Sequence, residues 1–153
     1  MLWSEKISFI NKAIELEFID TEWCCWCDIG YFRTEENGTL TSEQLKLWPS
    51  SDKILTLNKY KIYYGMSHNN INYLNTLKKI CLNKNSIGLP INNIPLNQCS
   101  IAGGFFIIHK YKVKWWFNTY DKILNSYFEN NRVVKDDQII ILNAYSLYSE
   151  HFK

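Results

Sequence analysis

The chain has 153 residues, enough for one ordinary domain and too few for two. A hydrophobic content of 46% and a charged content of 21% are those of a globular protein and exclude disorder. A net charge of +2, from 17 basic and 15 acidic residues, is too balanced for a nucleic-acid or polyanion binder.

Aromatic residues stand out at 16%, with 6 Trp, 10 Tyr and 8 Phe. Lysine outnumbers arginine 15 to 2, and Ile and Asn together make nearly a quarter of the chain. AT-rich codons account for that bias without a physical demand. Met1-Leu2-Trp3-Ser4-Glu5-Lys6 lacks the apolar core of a signal peptide, and no apolar run reaches a membrane span of roughly 18–20 residues. A cytoplasmic, reducing setting is the expectation for the five cysteines.

In chain order, Ser4 to Glu17 reads as a helix, with Ser4 as cap and Ile7, Ile10, Ala13 and Ile14 on one face. Trp23 to Cys27 reads as a strand buried on both sides, ending at Asp28-Ile29-Gly30. A polar loop follows from Thr34 to Ser42. Ile54 to Leu57 and Lys61 to Met66 read as further strands. Ile71, Leu74, Leu77, Ile80 and Cys81 make a helix stripe, and Asn83 to Gln98 is a long loop.

Ile101 to Ile108 is an apolar strand interrupted by Gly103-Gly104. The spacing predicts a helix over 113–130, with Trp116, Phe117, Tyr120, Ile123, Leu124, Tyr127 and Phe128 on its stripe. A last helix starts near Asp136-Asp137 and buries Ile140, Ile141, Ala144, Tyr145 and Tyr148. Strands alternating with helices predict an α/β fold with one sheet, in a single domain over 1–153.

Three segments carry candidate chemistry. Asp28 ends a buried strand, where open α/β sheets bind ligands, or it caps a turn; Gly30 would let backbone approach a ligand. Gly103 and Gly104 inside an apolar strand call for a bulge, a close contact or a ligand. Asp136 and Asp137 either cap a helix or supply a general base and a metal or substrate ligand, with Gln138 beside them. Cys24 and Cys27 have C-x-x-C spacing, with Cys81 and Cys99 as further thiols, but among tryptophans they read as core rather than zinc ligands. His109 to Trp116, a mixture of basic and aromatic residues, reads as a solvated lead into the helix.

Together, Trp26-Cys27-Asp28-Ile29-Gly30-Tyr31-Phe32-Arg33, Ala102-Gly103-Gly104-Phe105-Phe106 and Asp136-Asp137-Gln138, after an opening helix bearing Lys6, resemble the bacterial and viral HtrL/YibB-type proteins among the GT-A glycosyltransferases. The first segment is similar to that family's Trp-x-Asp-x-Gly-x-x-Arg motif. The resemblance implies a partial GT-A-like mixed sheet flanked by helices, and a metal-dependent enzyme moving sugar from a nucleotide-sugar donor to a carbohydrate hydroxyl. It implies Mn²⁺ or Mg²⁺ on Asp28, with Gly30, Arg33, Gly103, Gly104 and Gln138 against substrate. Asp136 or Asp137 would act as base or touch the acceptor. The family's N-terminal nucleotide-binding unit is expected before the point where this sequence starts. An unpaired sheet edge, and so self-association or pairing with a separate N-terminal half, is expected with it. The alternative is an inactive remnant of that fold that binds sugar or a protein partner.

Overall fold

The computed structural model describes residues 2–32 and 41–153. A 3₁₀ turn at Leu2–Glu5 leads into helix α1, Lys6–Glu15. Strand β1 is Trp23–Cys27, followed by short helices α2, Ser42–Lys46, and α3, Ser51–Leu55. Strand β2 is Ile62–Met66, helix α4 Ile71–Leu82, and strand β3 Ile101–His109. Helices α5, Lys110–Glu129, and α6, Asp137–Leu147, complete the chain with a 3₁₀ turn at Ser149–His151.

Most predicted elements are present, and the departures have local causes. Ile54-Leu55, expected in a strand, lie in α3. The short apolar run fits either structure, and Asp52 in the first turn suits the helix dipole, although Ser50 at the N-cap makes no side-chain capping bond. α5 begins at Lys110 rather than Val113 because His109 caps it, Nδ1 accepting from the Tyr111 amide at 3.1 Å. The expected solvated lead is therefore the first turn of α5. There Lys112 is buried, its Nζ 3.8 Å from the centre of the Trp115 ring. Phe128, placed on the buried stripe by its spacing, is exposed near the end of α5.

The strands form one mixed-class α/β arrangement around a small antiparallel sheet ordered β1-β3-β2. The register puts Cys24, Trp26, Ile62, Tyr64, Phe106 and Ile108 on one face. That face carries the core, with Trp116, Ile140 and Ile141 from α5 and α6 among its most buried side chains. Cys25, Cys27, Tyr63, Phe105 and Ile107 share the other face, which is only half covered.

Among the described residues β1 is thus an edge strand with an exposed Cys25, not the doubly buried central strand its composition suggests. The run lacks alternation because aromatic and thiol side chains occupy both faces, not because both faces are buried. Cys24 and Cys27 point to opposite faces, which rules out their sharing a metal. The outer edge of β2 is met by the end of the chain. The Lys153 amide donates to the Ile62 carbonyl at 2.9 Å, and the Tyr64 amide to the Lys153 carbonyl at 3.2 Å. β1 has no strand on its outer side among the described residues.

Candidate functional site

The site grows from an irregularity in the central strand. Tyr64 pairs with Phe106, but its neighbour Gly65 pairs with Ala102, so Gly103 to Phe105 leave the β2 ladder as a bulge. On the other side the Asp28 amide, just past β1, donates to the Gly104 carbonyl at 2.8 Å. The bulge therefore brings the glycine pair against Asp28. Both sequence explanations, a bulge and a close contact, hold at once.

Asp28 continues the inward alternation of Cys24 and Trp26 and so turns toward α1. Its Oδ1 accepts from Trp26 Nε1 at 2.6 Å, and the Trp26 ring stacks on Phe9 of α1 at 6.0 Å. Its Oδ2 accepts from Lys6 Nζ at 3.0 Å. Lys6, the first residue of α1, also donates to the Gly103 carbonyl at 2.8 Å and lies 3.0 Å from Asp137 Oδ2. Lys6 and Asp137 side chains are each 8% exposed, Asp28 38%. Burial pushes the Asp137 carboxyl above the usual carboxylate range, although the Lys6 ammonium pulls the other way.

Asp28, Gly103, Gly104 and Asp137 therefore converge on one point, and Lys6 is what joins them. The sequence motifs contain the first four. Lys6 had no role assigned from its sequence. The signal was available: it shares a helix face with Ile10 and Ile14, where a cation has no reason to be.

The other candidates fall around this centre. Gly30 lies in the turn after β1, which returns the Tyr31 amide to the Asp28 carbonyl at 2.8 Å. Arg33 lies outside the described residues. Asp136 stands at the N-cap of α6 but makes no capping bond with its side chain. Its Oδ1 and the Gln138 Oε1 are buried and have no donor among the described residues. Asp137 itself faces a void of about 10 Å³ shared with Ser4, Lys6, Tyr64 and Tyr120, room for no more than a water. In this arrangement Asp137 meets Lys6.

Beyond Asp28 the site opens onto aromatic rings. Tyr31 lies 5.2 Å from Phe105 and 6.3 Å from Trp48, and Trp48 lies 4.6 Å from Phe32, ring centre to ring centre. A side-chain atom added at Gly104 would sit 3.4 Å from both Asp28 Oδ2 and Tyr31, so the glycine keeps carboxylate and ring close together.

No family model, curated protein or solved structure matches the chain.

The donor set does not fit the Mn²⁺ or Mg²⁺ that the resemblance implies. Both oxygens of Asp28 are engaged by Trp26 and Lys6, and Gly30 offers no side-chain ligand. The position between the two carboxylates holds an ammonium. Among the described residues no three His, Cys, Asp or Glu side chains gather as a metal site.

Proposed function

We propose that this chain is a carbohydrate-handling protein of the glycosyltransferase kind, with half-exposed Asp28 and the Tyr31 ring that meets it at Gly104 as its sugar-binding point, and Trp48 and Phe105 extending the aromatic surface from Tyr31. The observation that carries the reading is the convergence of three distant motifs, at 28, 103–104 and 136–138, on a single polar centre beside aromatic rings.

A sugar presents hydroxyl edges and apolar ring faces. Half-exposed Asp28 accepts hydroxyl donors, and the rings offer flat apolar surface with few rotatable bonds. Asp136 Oδ1 and Gln138 Oε1, on either side of Asp137, are buried acceptors that want donors. Transfer from a nucleotide-sugar donor would have an acceptor hydroxyl attack the anomeric carbon as the bond from that carbon to the nucleoside diphosphate breaks, the diphosphate leaving with the bonding pair. Asp28, or Asp136 if the α6 start opens, would take its proton. The chain's own part is to hold the hydroxyl and the ring; Lys6 and Asp137 fix the carboxylate that does so.

Titration with nucleotide sugars and with their free sugars, read by thermal unfolding, tests this. A genuine ligand at a hundredfold excess over its Kd stabilises the fold by about 2.7 kcal/mol. Trp48→Ala is expected to abolish the shift, measured from the variant's own unliganded midpoint, since its ring packs on Tyr31, Phe32 and Phe105. A shift with free sugar but none with any nucleotide sugar would favour the inactive, sugar-binding alternative. No shift with either would defeat both.

The same reading includes a strand partner, either a second copy or a separate N-terminal half, on the outer edge of β1. The exposed backbone there is the template that strand addition requires. Light scattering on the purified chain is expected to give a dimer that Cys25→Pro, in the middle of that edge, dissociates. A monomer at every concentration would count against a second copy.

A further inference from the structure

We infer that Lys6 is the resident cation of the centre. Its ammonium takes the place that a divalent metal would occupy between Asp28 and Asp137, so the site assembles without metal. The inference stands on the geometry of the three side chains and does not depend on what the pocket binds.

The first argument is saturation. An ammonium has three N–H donors. Lys6 Nζ meets three oxygens: it donates to Asp28 Oδ2 at 3.0 Å and to the Gly103 carbonyl at 2.8 Å, and pairs as an ion with Asp137 Oδ2 at 3.0 Å. All three come from separate elements, after β1, at the start of α6 and within β3. A water-exposed lysine on a helix surface gains little from such an arrangement; here the side chain is buried and its long stem is immobilised.

The second argument is size. A magnesium ion draws its oxygens to about 2.0–2.1 Å, and a calcium ion to about 2.3–2.6 Å. The carboxylates here stand at N–O hydrogen-bonding distance from a common centre. Asp137 also packs so closely on Gly103 that an added Cβ would lie 2.4 Å from Oδ1. While the ammonium stands between the carboxylates, they cannot close in around a small cation.

The third argument is cost. A lysine at the first position of a helix opposes the helix dipole, and burying it adds a desolvation penalty. Two general rules are broken at one residue. The compensation is visible in the two carboxylates, which without it would face each other across a buried gap. The chain thus carries its own counter-charge, and arginine could not replace it, because a planar fork does not match three converging acceptors.

The test uses Mn²⁺ alone, with free ion counted by electron paramagnetic resonance and stability read by thermal unfolding. Neither readout involves a sugar, so failure of the carbohydrate reading leaves them untouched. The wild-type chain is expected to bind no stoichiometric Mn²⁺ and to unfold at the same temperature in chelator and in Mn²⁺. One bound ion per chain, lost in Asp28→Asn, would overturn the inference. Lys6→Met vacates the position, and its Mn²⁺ affinity is expected to exceed wild type by at least about tenfold, or 1.4 kcal/mol. Adding Asp137→Asn to Lys6→Met should remove that gain. A folded Lys6→Met chain that binds Mn²⁺ no better than wild type would overturn it as well. If Lys6→Met does not fold, the wild-type titration decides alone: silence supports the inference and a bound equivalent defeats it.

Discussion

Gly103→Ala is expected to destabilise the fold by about 3 kcal/mol and to lower the unfolding midpoint by about 6–12 °C. The new Cβ would lie 2.4 Å from Asp137 Oδ1 and 2.7 Å from its Cγ and Oδ2, distances that real Cβ atoms do not occupy. Asp137 has little room to retreat. Its side chain is short, it is the first residue of α6, and its Oδ2 is held by Lys6. The methyl group must therefore push α6 away from β3 or break the contact with Lys6, and either exposes or orphans a buried charge. Gly104→Ala is the control. Its Cβ meets Asp28 Oδ2 and Tyr31 at 3.4 Å, where an aromatic ring on the half-covered face can yield, so a loss below about 1 kcal/mol is expected. Urea denaturation of the two variants side by side checks the contrast. Equal stabilities would mean that the approach of Asp137 to β3 is not tight.

The glycine pair shows how far the sequence could be read. Two glycines in an apolar strand announce that something comes close to the backbone, and something does. Residue type cannot say whether that neighbour is a ligand or the protein's own carboxylate. At Gly103 it is Asp137; at Gly104 it is Asp28 and Tyr31, at the open side of the site. Asp28 was legible as a candidate for a similar reason, since an acidic residue at the end of an apolar run either caps a turn or meets a partner. Its partner was not, because the ion pair spans 22 residues and its lysine sits inside a helix pattern.

Element types were legible where periodicity was long, as in α4, α5 and β3. They failed at four-residue runs such as Ile54 to Leu57, which are short enough for helix and strand patterns to coincide. The position of β1 in the sheet was invisible, because strand order is a long-range property and an edge strand with one covered face can be as apolar as a central one. The sheet itself is a small antiparallel one with β3 between β1 and β2.

Lys6→Met is expected to cost about 3–5 kcal/mol at neutral pH, the penalty for leaving a buried carboxylate without its partner. Asp28 is the lesser part of that cost, since it is 38% exposed and retains Trp26 as a donor. Asp137 is the greater part. Burial already holds its carboxyl above the usual range against the pull of Lys6, and removing the lysine leaves burial unopposed. A carboxyl whose folded pKa is raised binds its proton more tightly folded than unfolded, so stability falls as pH rises between the unfolded and folded values. The Lys6→Met penalty should therefore shrink on acidification through that window, as Asp137 takes up a proton and becomes neutral. Asp137→Leu in the same chain should recover most of the loss at neutral pH and flatten the pH dependence, because an apolar pair of similar shape replaces a buried charge pair at little net cost. Denaturation of the two single variants and the double variant across pH closes a thermodynamic cycle. A Lys6→Met penalty that is constant with pH would place the lost energy in packing of the lysine stem, not in its charge.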